Sequence, residues 1–542
     1  MVSKSNILSV ILSVMDRLLL LAVCLVVTVL LAPSEGIAES PGTTQGDRVD
    51  IVVDVNSELG ELYNFWNVFP VTVQAPFLDE TKHAKLRRTY RYAEYINCVR
   101  LLGGIDLEKD DYFRGVDAQG KAICDFSEGI AMLLGIRKCG FTPWIVLDNV
   151  PAAMCDNPTK NRYGNTEPPN DFRVWCSYVR QLVQALVDEF GHEEVSRWRF
   201  RVGTEPDLDP GHWSGTKEQY FAHYDHTVAA VLSVLPGADI GPGNIIDPVK
   251  KRKWQSWGTE IIDHCATGTN HATGQIGTPL SFFASSYYTA VGTTDERFDA
   301  LIELLRGKLR QYPQFADAPV EIQEFGILSE GGKWIVGDGT EFGGSWMAHF
   351  ADKIYRLNVR RVYQWWWNTN KGGEIPIPLN HVLDMLEAMV GGTRLKVEAS
   401  RSSEADHIGC VAARNEGRID LIVFRHLAVR DNRQPVAVRV ILQDDAAAGN
   451  DRTITRAAII DGAHAGFMHE RKADMDRARA KAGDSANPYA VAFEVMAANR
   501  AKYERMSALS DMESPSLTVD PSGSVRFDLE LDGHSVIHLR LE

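Results

Sequence analysis

The hydrophobic pattern from about residue 60 to residue 395 alternates short apolar runs with longer stretches in which apolar residues recur at three- and four-residue spacing. The short runs are typical of buried strands, and the longer stretches are typical of amphipathic helices. Eight runs are predicted as strands: 64–69, 96–102, 142–147, 198–204, 238–243, 280–287, 320–324 and 361–367. Strands alternating with helices in this way predict an α/β fold, a closed (β/α)8 TIM barrel over residues 60–395.

Beyond Gly392 the pattern changes to polar and apolar residues in strict alternation, which is typical of strands with one buried face. Such strands are predicted at 408–413, 418–426, 436–442 and 525–541. Together they predict a β-sandwich over residues 396–542. Residues 48–55 alternate in the same way and are predicted to join this sandwich, and residues 464–512, rich in helix-forming residues, are predicted to be a helical excursion.

The first residues of the chain have the pattern of a targeting signal. Lys4 and Arg17 precede an uncharged run at 18–32, and small residues follow up to Ala38. This run is short for a membrane span, so residues 1–38 are predicted to be a cleaved signal peptide. The mature protein would then be secreted or periplasmic, without a stable membrane span. The alternative is an uncleaved N-terminal anchor.

Charge and cysteine content narrow the range of partners. The formal net charge is −15. Nucleic-acid binding requires an excess of basic side chains to neutralise backbone phosphates, so we expect no nucleic-acid partner. Of the 8 cysteines, Cys24 lies in the predicted signal. The remaining odd number at irregular spacing does not indicate a disulfide framework, although one or two bridges are compatible with it.

Two glutamates carry the chemistry that the sequence indicates most strongly. Glu205 and Glu324 each end a predicted strand and precede a loop, which places them at the C-terminal ends of barrel strands 4 and 7. Active sites of such barrels are built at that end. Glycoside hydrolysis requires one carboxylic acid to protonate the leaving oxygen and one carboxylate to attack or to activate water. The pair therefore predicts an enzyme that hydrolyses the glycosidic bond of a glycoside, an oligosaccharide or a polysaccharide.

Several ordered motifs resemble glycoside hydrolase family 39, the retaining exo-glycosidases that include β-xylosidases and α-L-iduronidases. The motifs are Asn64-Phe65-Trp66, Val99-Arg100-Leu101-Leu102-Gly103, Cys124-Asp125-Phe126-Ser127, Trp198 to Leu208 and Glu321 to Gly326. This resemblance implies that Glu205 is the acid/base and Glu324 the nucleophile, with carboxyl groups about 5 Å apart. It also implies a covalent glycosyl intermediate, formed without a metal or an organic cofactor.

Two further residues are predicted to support the nucleophile. A nucleophilic carboxylate must stay ionised, and Arg100, at the end of strand 2, could supply the cation that this requires. The alternative for Arg100 is a surface ion pair. Tyr288 could donate its hydroxyl to the same carboxylate, and the alternative is a packed aromatic ring with its hydroxyl in water.

A tryptophan-rich stretch on the last predicted strand is expected to contact the sugar. Alternation along a strand places Gln364 and Trp366 on one face and Trp365 and Trp367 on the other. Trp366 matches the strand 8 tryptophan of the family and is predicted to be the platform on which a sugar ring stacks, with Gln364 beside it. Trp365 and Trp367 are expected to pack in the core.

Three positions depart from the family pattern. Thr204 stands where the family usually has an asparagine that holds the sugar, while Leu102 and Ser286 stand where histidines are usual. Thr204 remains a predicted substrate contact, but the sugar, anomer and linkage cannot be inherited from the family. Because both glutamates are retained, we expect an active enzyme. The alternative is a carbohydrate-binding protein that has lost turnover.

Other chemistries have weak support in the sequence. His212, His223 and His226 lie close together along the chain, but helix-surface and loop contacts are a simpler interpretation than a metal site, and no metal is expected. Residues 343–347 lack the second glycine of a nucleophile elbow, and no His-Glu-x-x-His motif occurs.

Overall fold

The computed structural model describes residues 48–103, 112–159, 163–250, 257–365, 367, 374–430, 434–443, 452–483, 487–521 and 523–542. The predicted signal peptide at 1–38 lies outside these residues. In chain order the strands are β1 Val49–Glu61, β2 Val68–Val71, β3 Tyr95–Cys98, β4 Phe113–Val116, β5 Ala122–Cys124, β6 Thr142–Leu147, β7 Arg199–Val202, β8 Asp239–Pro242, β9 Phe283–Val291, β10 Val320–Glu330, β11 Lys333–Trp334, β12 Val362–Gln364, β13 Thr393–Ala399, β14 Asp406–Asn415, β15 Arg418–Leu427, β16 Val436–Gln443, β17 Ile454–Ile460, β18 Ser510–Asp511, β19 Thr518–Val519, β20 Val525–Leu531 and β21 Ser535–Leu541.

The helices connect these strands and cover the outside of the barrel. They are α1 His83–Thr89, α2 Ser127–Lys138, α3 Phe172–Phe190, α4 His192–Val195, α5 Lys217–Leu232, α6 Glu260–Thr267, α7 Glu296–Leu309, α8 Glu341–Arg356, α9 Pro378–Glu387, α10 Met468–Ala482 and α11 Pro488–Ser507. None of the helices in the described ranges is both long and apolar enough to cross a bilayer.

Two parallel arcs of strands form the predicted barrel. One arc has the order β2-β3-β6-β7-β8, and in the other β9 and β12 flank β10. A parallel bridge between Ile245 and Ser285 joins the arcs on one side. On the other side, the Val362 N–H donates to the Phe65 carbonyl at 2.8 Å. The α/β barrel expected from the alternating pattern is therefore confirmed.

The strands that carry the site differ in length from the prediction. The sequence predicted strands at 280–287 and 320–324, but β9 runs to Val291 and β10 runs to Glu330. Glu324 therefore lies within β10, not at its end. Both strands continue because they pair with each other beyond the barrel. The segment after β9 also reaches the second sheet, since the Gly292 N–H donates to the Ala428 carbonyl at 2.8 Å.

The second sheet contains ten strands in the order β18-β17-β21-β15-β14-β13-β1-β16-β20-β19. Residues 48–55, predicted as a strand of this part of the chain, belong to β1, which pairs with both β13 and β16. Side chains from both halves of the sheet, such as Val53, Val440 and Leu421, share one apolar core. The division into domains at 60–395 and 396–542 remains a prediction.

Helices α10 and α11 lie within the segment predicted as a helical excursion. Phe467 and Tyr503 stack with ring centroids 5.1 Å apart and belong to the apolar core of the barrel. The His381 Nε2 lies 2.6 Å from the Ser507 carbonyl oxygen, which ties the end of α11 to α9. The described cysteines are all free thiols.

Candidate active site

The two glutamates are held by different backbone elements. Glu205 lies three residues after β7, has a left-handed backbone with φ of 40°, and is 8% exposed. A non-glycine residue in this region is uncommon and is found where the surrounding structure fixes it. Glu324 lies within β10, next to a bulge, and is paired in register with Ser286 of β9.

Ser286 links the two glutamates. The Ser286 hydroxyl donates to Glu205 Oε1 at 2.5 Å. The Asn244 amide donates to Ser286 Oγ at 2.9 Å, and Asn244 also lowers the pKa of Glu324. Ser286 thus binds Glu205 through its side chain and pairs with Glu324 through its strand, so the structure brings both glutamates into one site.

The surroundings of Glu324 act on its charge in opposite directions. Burial raises the pKa of Glu324 above its ordinary value. The Tyr288 hydroxyl donates to Glu324 Oε2, and this bond, together with the charges of Arg201 and Arg100, opposes that rise. Tyr288 therefore contacts the Glu324 carboxylate directly, and the charge of Arg100 acts on the same group.

Arg100 has a strained conformation of its own. Its φ is 61°, and its backbone N–H donates to Asp148 Oδ1 at 2.9 Å. Its guanidinium lies 4.6 Å from the centroid of the Tyr163 ring, a cation–π contact. This contact holds the side chain at the wall of the cavity.

The hydroxyl of Thr204 forms hydrogen bonds with two neighbouring side chains. Arg201 donates to Thr204 Oγ1 at 2.7 Å, and this oxygen donates to Asp148 Oδ2 at 3.0 Å. His212 Nδ1 lies 3.0 Å from the Thr204 carbonyl oxygen and 3.8 Å from Glu205 Oε2. The predicted substrate contact thus lies in the site, next to Glu205, and its hydroxyl is engaged in a buried network.

The tryptophan-rich stretch is only partly described. Gln364, a predicted sugar contact, is 3% exposed, and its amide donates to the Trp66 carbonyl. This hydrogen bond joins β12 to the segment before β2 and helps to close the barrel. Trp366, the predicted sugar platform, lies outside the described residues. Trp367 is buried, and its Nε1 donates to the Phe325 carbonyl at 2.8 Å, in agreement with its expected core position.

The other two departures from the family pattern have different environments. Leu102 is fully buried in the apolar core of the barrel and does not offer a polar contact. Ser286, which stands where a histidine is usual, donates its hydroxyl to Glu205.

Sequence reasoning missed Arg201, Asn244 and Asp148. A signal for Arg201 was present, because Arg199 and Arg201 alternate with Phe200 and Val202 along β7. Buried arginines at every second position must point together into the barrel, where carboxylates or amides have to meet them. Glu321 and Gln323 alternate in the same way on β10, and they do bind these arginines, at 2.5 Å and 3.1 Å respectively. No comparable signal marked Asn244 or Asp148.

A small cavity of about 30 Å³ lies beside Glu205. It is bordered by Thr204 and Pro206, the residues on either side of Glu205, and by the side chains on which the site depends. These include Arg100, Asp148, Tyr163 and His212. A space of this size holds water.

The three histidines that lie together in sequence have different main partners in the fold. His212 is beside Glu205, His223 is buried against Trp213, and His226 stacks on Phe172. A different set of side chains, from Asp225, His264 and His271, places its ligand atoms within 4.8 Å of one another. The Asp225 oxygens already bind both rings and the Thr278 hydroxyl, so hydrogen bonds account for that cluster.

Comparison with known proteins identifies the class. The sequence profile described as glycosyl hydrolases family 39 matches residues 49–327, which is more than half of the chain. The chain therefore belongs to glycosyl hydrolase family 39, as its motifs indicated.

Individual relatives are distant. An α-1,4-L-rhamnosidase from Formosa agariphila is 27% identical over 294 residues, covering 50% of this chain and 57% of the relative. A β-xylosidase from Caldicellulosiruptor saccharolyticus is 26% identical over 271 residues, covering 48% of this chain and 51% of the relative. The chain thus spans about half the length of the curated relatives that it matches.

Solved structures show the same fold over a larger part of the chain. The structure of a family 39 β-xylosidase from Caulobacter crescentus superposes with a TM-score of 0.62 at 17% identity, covering 91% of this chain and 99% of that one. At this identity the similarity concerns the fold, a TIM barrel with a second domain.

Proposed function

We propose that this protein is a retaining glycoside hydrolase that cleaves its substrate by double displacement. The observation that carries the proposal is the position of Ser286, which donates to Glu205 and is paired in register with Glu324, so that two carboxyl groups lie in one site at the mouth of a barrel. Membership of family 39 supports the same chemistry.

The different surroundings of the glutamates support different roles. In the first step, the Glu324 carboxylate attacks the anomeric carbon while Glu205 gives its proton to the leaving oxygen. In the second step, Glu205 takes a proton from water, the water oxygen attacks the anomeric carbon, and Glu324 is released as a carboxylate. Glu324 is assigned the nucleophilic role because Tyr288, Arg201 and Arg100 favour its ionised form and so oppose the effect of its burial.

Glu205 is suited to exchange protons. It receives one strong hydrogen bond from Ser286, and the neighbouring His212 lies 3.8 Å away on the other carboxyl oxygen. The cavity borders the residues on both sides of Glu205, so a water molecule can approach from there. These retained contacts favour turnover over carbohydrate binding alone.

We further propose that the protein is secreted or periplasmic and acts on a small glycoside or the end of a saccharide chain. The signal-like pattern of residues 1–38 supports the location. The names of the relatives make xylosides, iduronides and rhamnosides reasonable substrates to test, together with arabinosides, glucosides and galactosides.

The proposal is tested by hydrolysis of a panel of nitrophenyl glycosides of these sugars in both anomeric forms. For the substrate cleaved fastest, proton NMR of the first product should show the anomeric configuration of the substrate. Glu205→Ala should keep activity on substrates with a good leaving group, and added azide should yield a glycosyl azide of retained configuration.

A matched control is Glu303→Gln, which changes an exposed glutamate on α7 and should behave as the wild type. First products of inverted configuration would contradict the double displacement. Absence of hydrolysis across the whole panel would favour a binding protein.

A further inference from the structure

A third acidic side chain lies in the site and has no part in the two-carboxylate chemistry. Asp148 directly follows β6, is 8% exposed and lines the cavity beside Thr204 and Arg100. Buried carboxyl groups are costly unless they are paired or hydrogen-bonded. Its presence at the wall of the cavity therefore requires an explanation.

The contacts of Asp148 leave part of its binding capacity unused. Oδ1 accepts from the Arg100 N–H at 2.9 Å, and Oδ2 accepts from the Thr204 hydroxyl at 3.0 Å. A carboxylate offers about four acceptor positions, so about two remain for other donors. Within the described part of the chain, the ion pairs do not include Asp148.

Two arginines act on Asp148 from a greater distance. Burial raises the pKa of Asp148, and the charges of Arg100 and Arg201 oppose that rise. Arg201 is 2% exposed and uses its guanidinium to bind Thr204 and Gln323, so it is fixed at this depth of the barrel. The arrangement holds a polar group at the cavity wall without covering it by a direct ion pair.

We propose that Asp148 is a substrate-binding residue that accepts hydrogen bonds from ring hydroxyls of the sugar and so determines which sugars the site takes. The proposal rests on the proposed function, because it places the sugar beside Glu205, next to the Thr204 hydroxyl that Asp148 binds. Hydroxyl groups are the donors that a sugar offers, and a site built to bind one rejects the analogue that lacks it. Arg201 is a positioning residue that acts on Asp148 through Thr204.

The test combines one enzyme change with single-hydroxyl changes in the substrate. Asp148→Asn and the wild type are compared on the best nitrophenyl glycoside of the panel and on its monodeoxy analogues. For the hydroxyl that Asp148 binds, deoxygenation should lower kcat/KM at least tenfold in the wild type and less than threefold in Asp148→Asn. Unfolding temperature should not fall in Asp148→Asn, because an incompletely paired buried carboxylate is replaced by a neutral isostere.

The matched control is Asp225→Asn. Asp225 is also fully buried, but its oxygens bind His264, His271 and Thr278 on the outer side of the barrel. This variant should lower the unfolding temperature and leave the deoxygenation ratios unchanged.

If every deoxygenation lowers kcat/KM by the same factor in the wild type and in Asp148→Asn, then Asp148 is a structural residue and the inference is wrong. The same conclusion follows if Asp148→Asn lowers the unfolding temperature as much as Asp225→Asn does. A failure of the proposed function gives a different result, which is no turnover of any glycoside. Calorimetric titration with the methyl glycosides of the panel then decides the inference: at least tenfold weaker binding by Asp148→Asn supports it, and equal or absent binding overturns it.

Discussion

Ser286 donates its hydroxyl hydrogen to Glu205 at 2.5 Å while its own position in β9 is paired in register with Glu324 in β10. One small side chain thus links the residue after β7 to the residue within β10. Because it also accepts from Asn244, the serine is oriented by a neighbour as well as by its strand. The relative placement of the two glutamates depends on this contact.

Replacement of Ser286 by alanine should lower kcat/KM about 10- to 100-fold. The change removes a hydrogen bond to a charged group, which contributes about 1.5–3 kcal/mol. Steady-state kinetics on the best aryl glycoside measures the loss. Ser281→Ala removes a hydroxyl that accepts from the Ile240 N–H at the opposite end of the barrel, and it should leave the kinetics unchanged. Equal losses in both variants would show that the effect is not local.

Replacement of Tyr288 by phenylalanine should move the acidic limb of the kcat/KM profile to higher pH. Burial already raises the pKa of Glu324, and the Tyr288 hydroxyl is the largest influence that lowers it, so its removal raises that pKa further. The ionised nucleophile is then lost at a higher pH. Tyr287→Phe is the matched control, because this hydroxyl donates to Asp295 at 2.7 Å and not to Glu324. An unchanged acidic limb in Tyr288→Phe would contradict the role given to Tyr288.

The buried ion pair of Arg199 and Glu321 should be important for folding and not for the chemistry. Glu321→Ala removes the buried one of the two carboxylates that bind Arg199, leaving Asp239, and should cost about 1.5–3 kcal/mol of unfolding free energy. Burial raises the pKa of Glu321, but Arg199 and Arg361 outweigh it and lower the pKa overall. The stabilisation is therefore complete above the unfolded-state pKa of about 4.3 and is lost as the pH falls through the lower folded-state value.

Denaturant unfolding of the wild type and of Glu321→Ala between pH 3 and pH 8 tests this prediction. The difference in unfolding free energy between the two proteins should become smaller at the acidic end of this range. Asp528→Ala, which breaks an exposed pair with Arg439, should change stability little. A Glu321→Ala protein as stable as the wild type at neutral pH would contradict the prediction.

Acid should destabilise the contact between α8 and the second sheet. His349 on α8 and His426 on β15 stack with ring centroids 5.3 Å apart, and burial holds the pKa of each well below its ordinary value. Below about pH 6.5 the unfolded chain binds a proton at each of these histidines and the folded chain does not. The free energy of unfolding therefore decreases as the pH is lowered, by up to about 1.4 kcal/mol per pH unit for each histidine.

His349→Leu should reduce this pH dependence of the unfolding free energy, while His192→Leu, at an exposed position on α4, should not. The same slope in His349→Leu and the wild type would show that the buried histidine does not control the acid response.

The sequence predicted the architecture well because it depends on repeated patterns. Alternation of apolar runs with amphipathic stretches predicted the barrel, and a single run such as Thr142–Leu147 was placed with its observed bounds. The ends of β9 and β10 could not be predicted, because their extension depends on pairing with each other and on contact with a sheet that lies more than 100 residues later in the chain.

The site was predictable only in part. Glu205, Glu324, Arg100 and Tyr288 could be found because their residue types are required by the chemistry. The role of Ser286 could not be foreseen, because it depends on the register of two strands and on Asn244, which follows a different strand. The same holds for the hydroxyl of Thr204, whose orientation is set by a buried arginine.

The most direct test of the central claim is covalent trapping of the nucleophile. An activated 2-deoxy-2-fluoro glycoside of the preferred sugar should inactivate the enzyme and add one glycosyl unit to its mass, because the fluorine slows the second step more than the first. Proteolysis and mass spectrometry should then place the label on Glu324, and Glu324→Gln should remain unlabelled. Labelling of Glu205, or rapid turnover of the natural glycoside with no label on any carboxylate, would contradict the account.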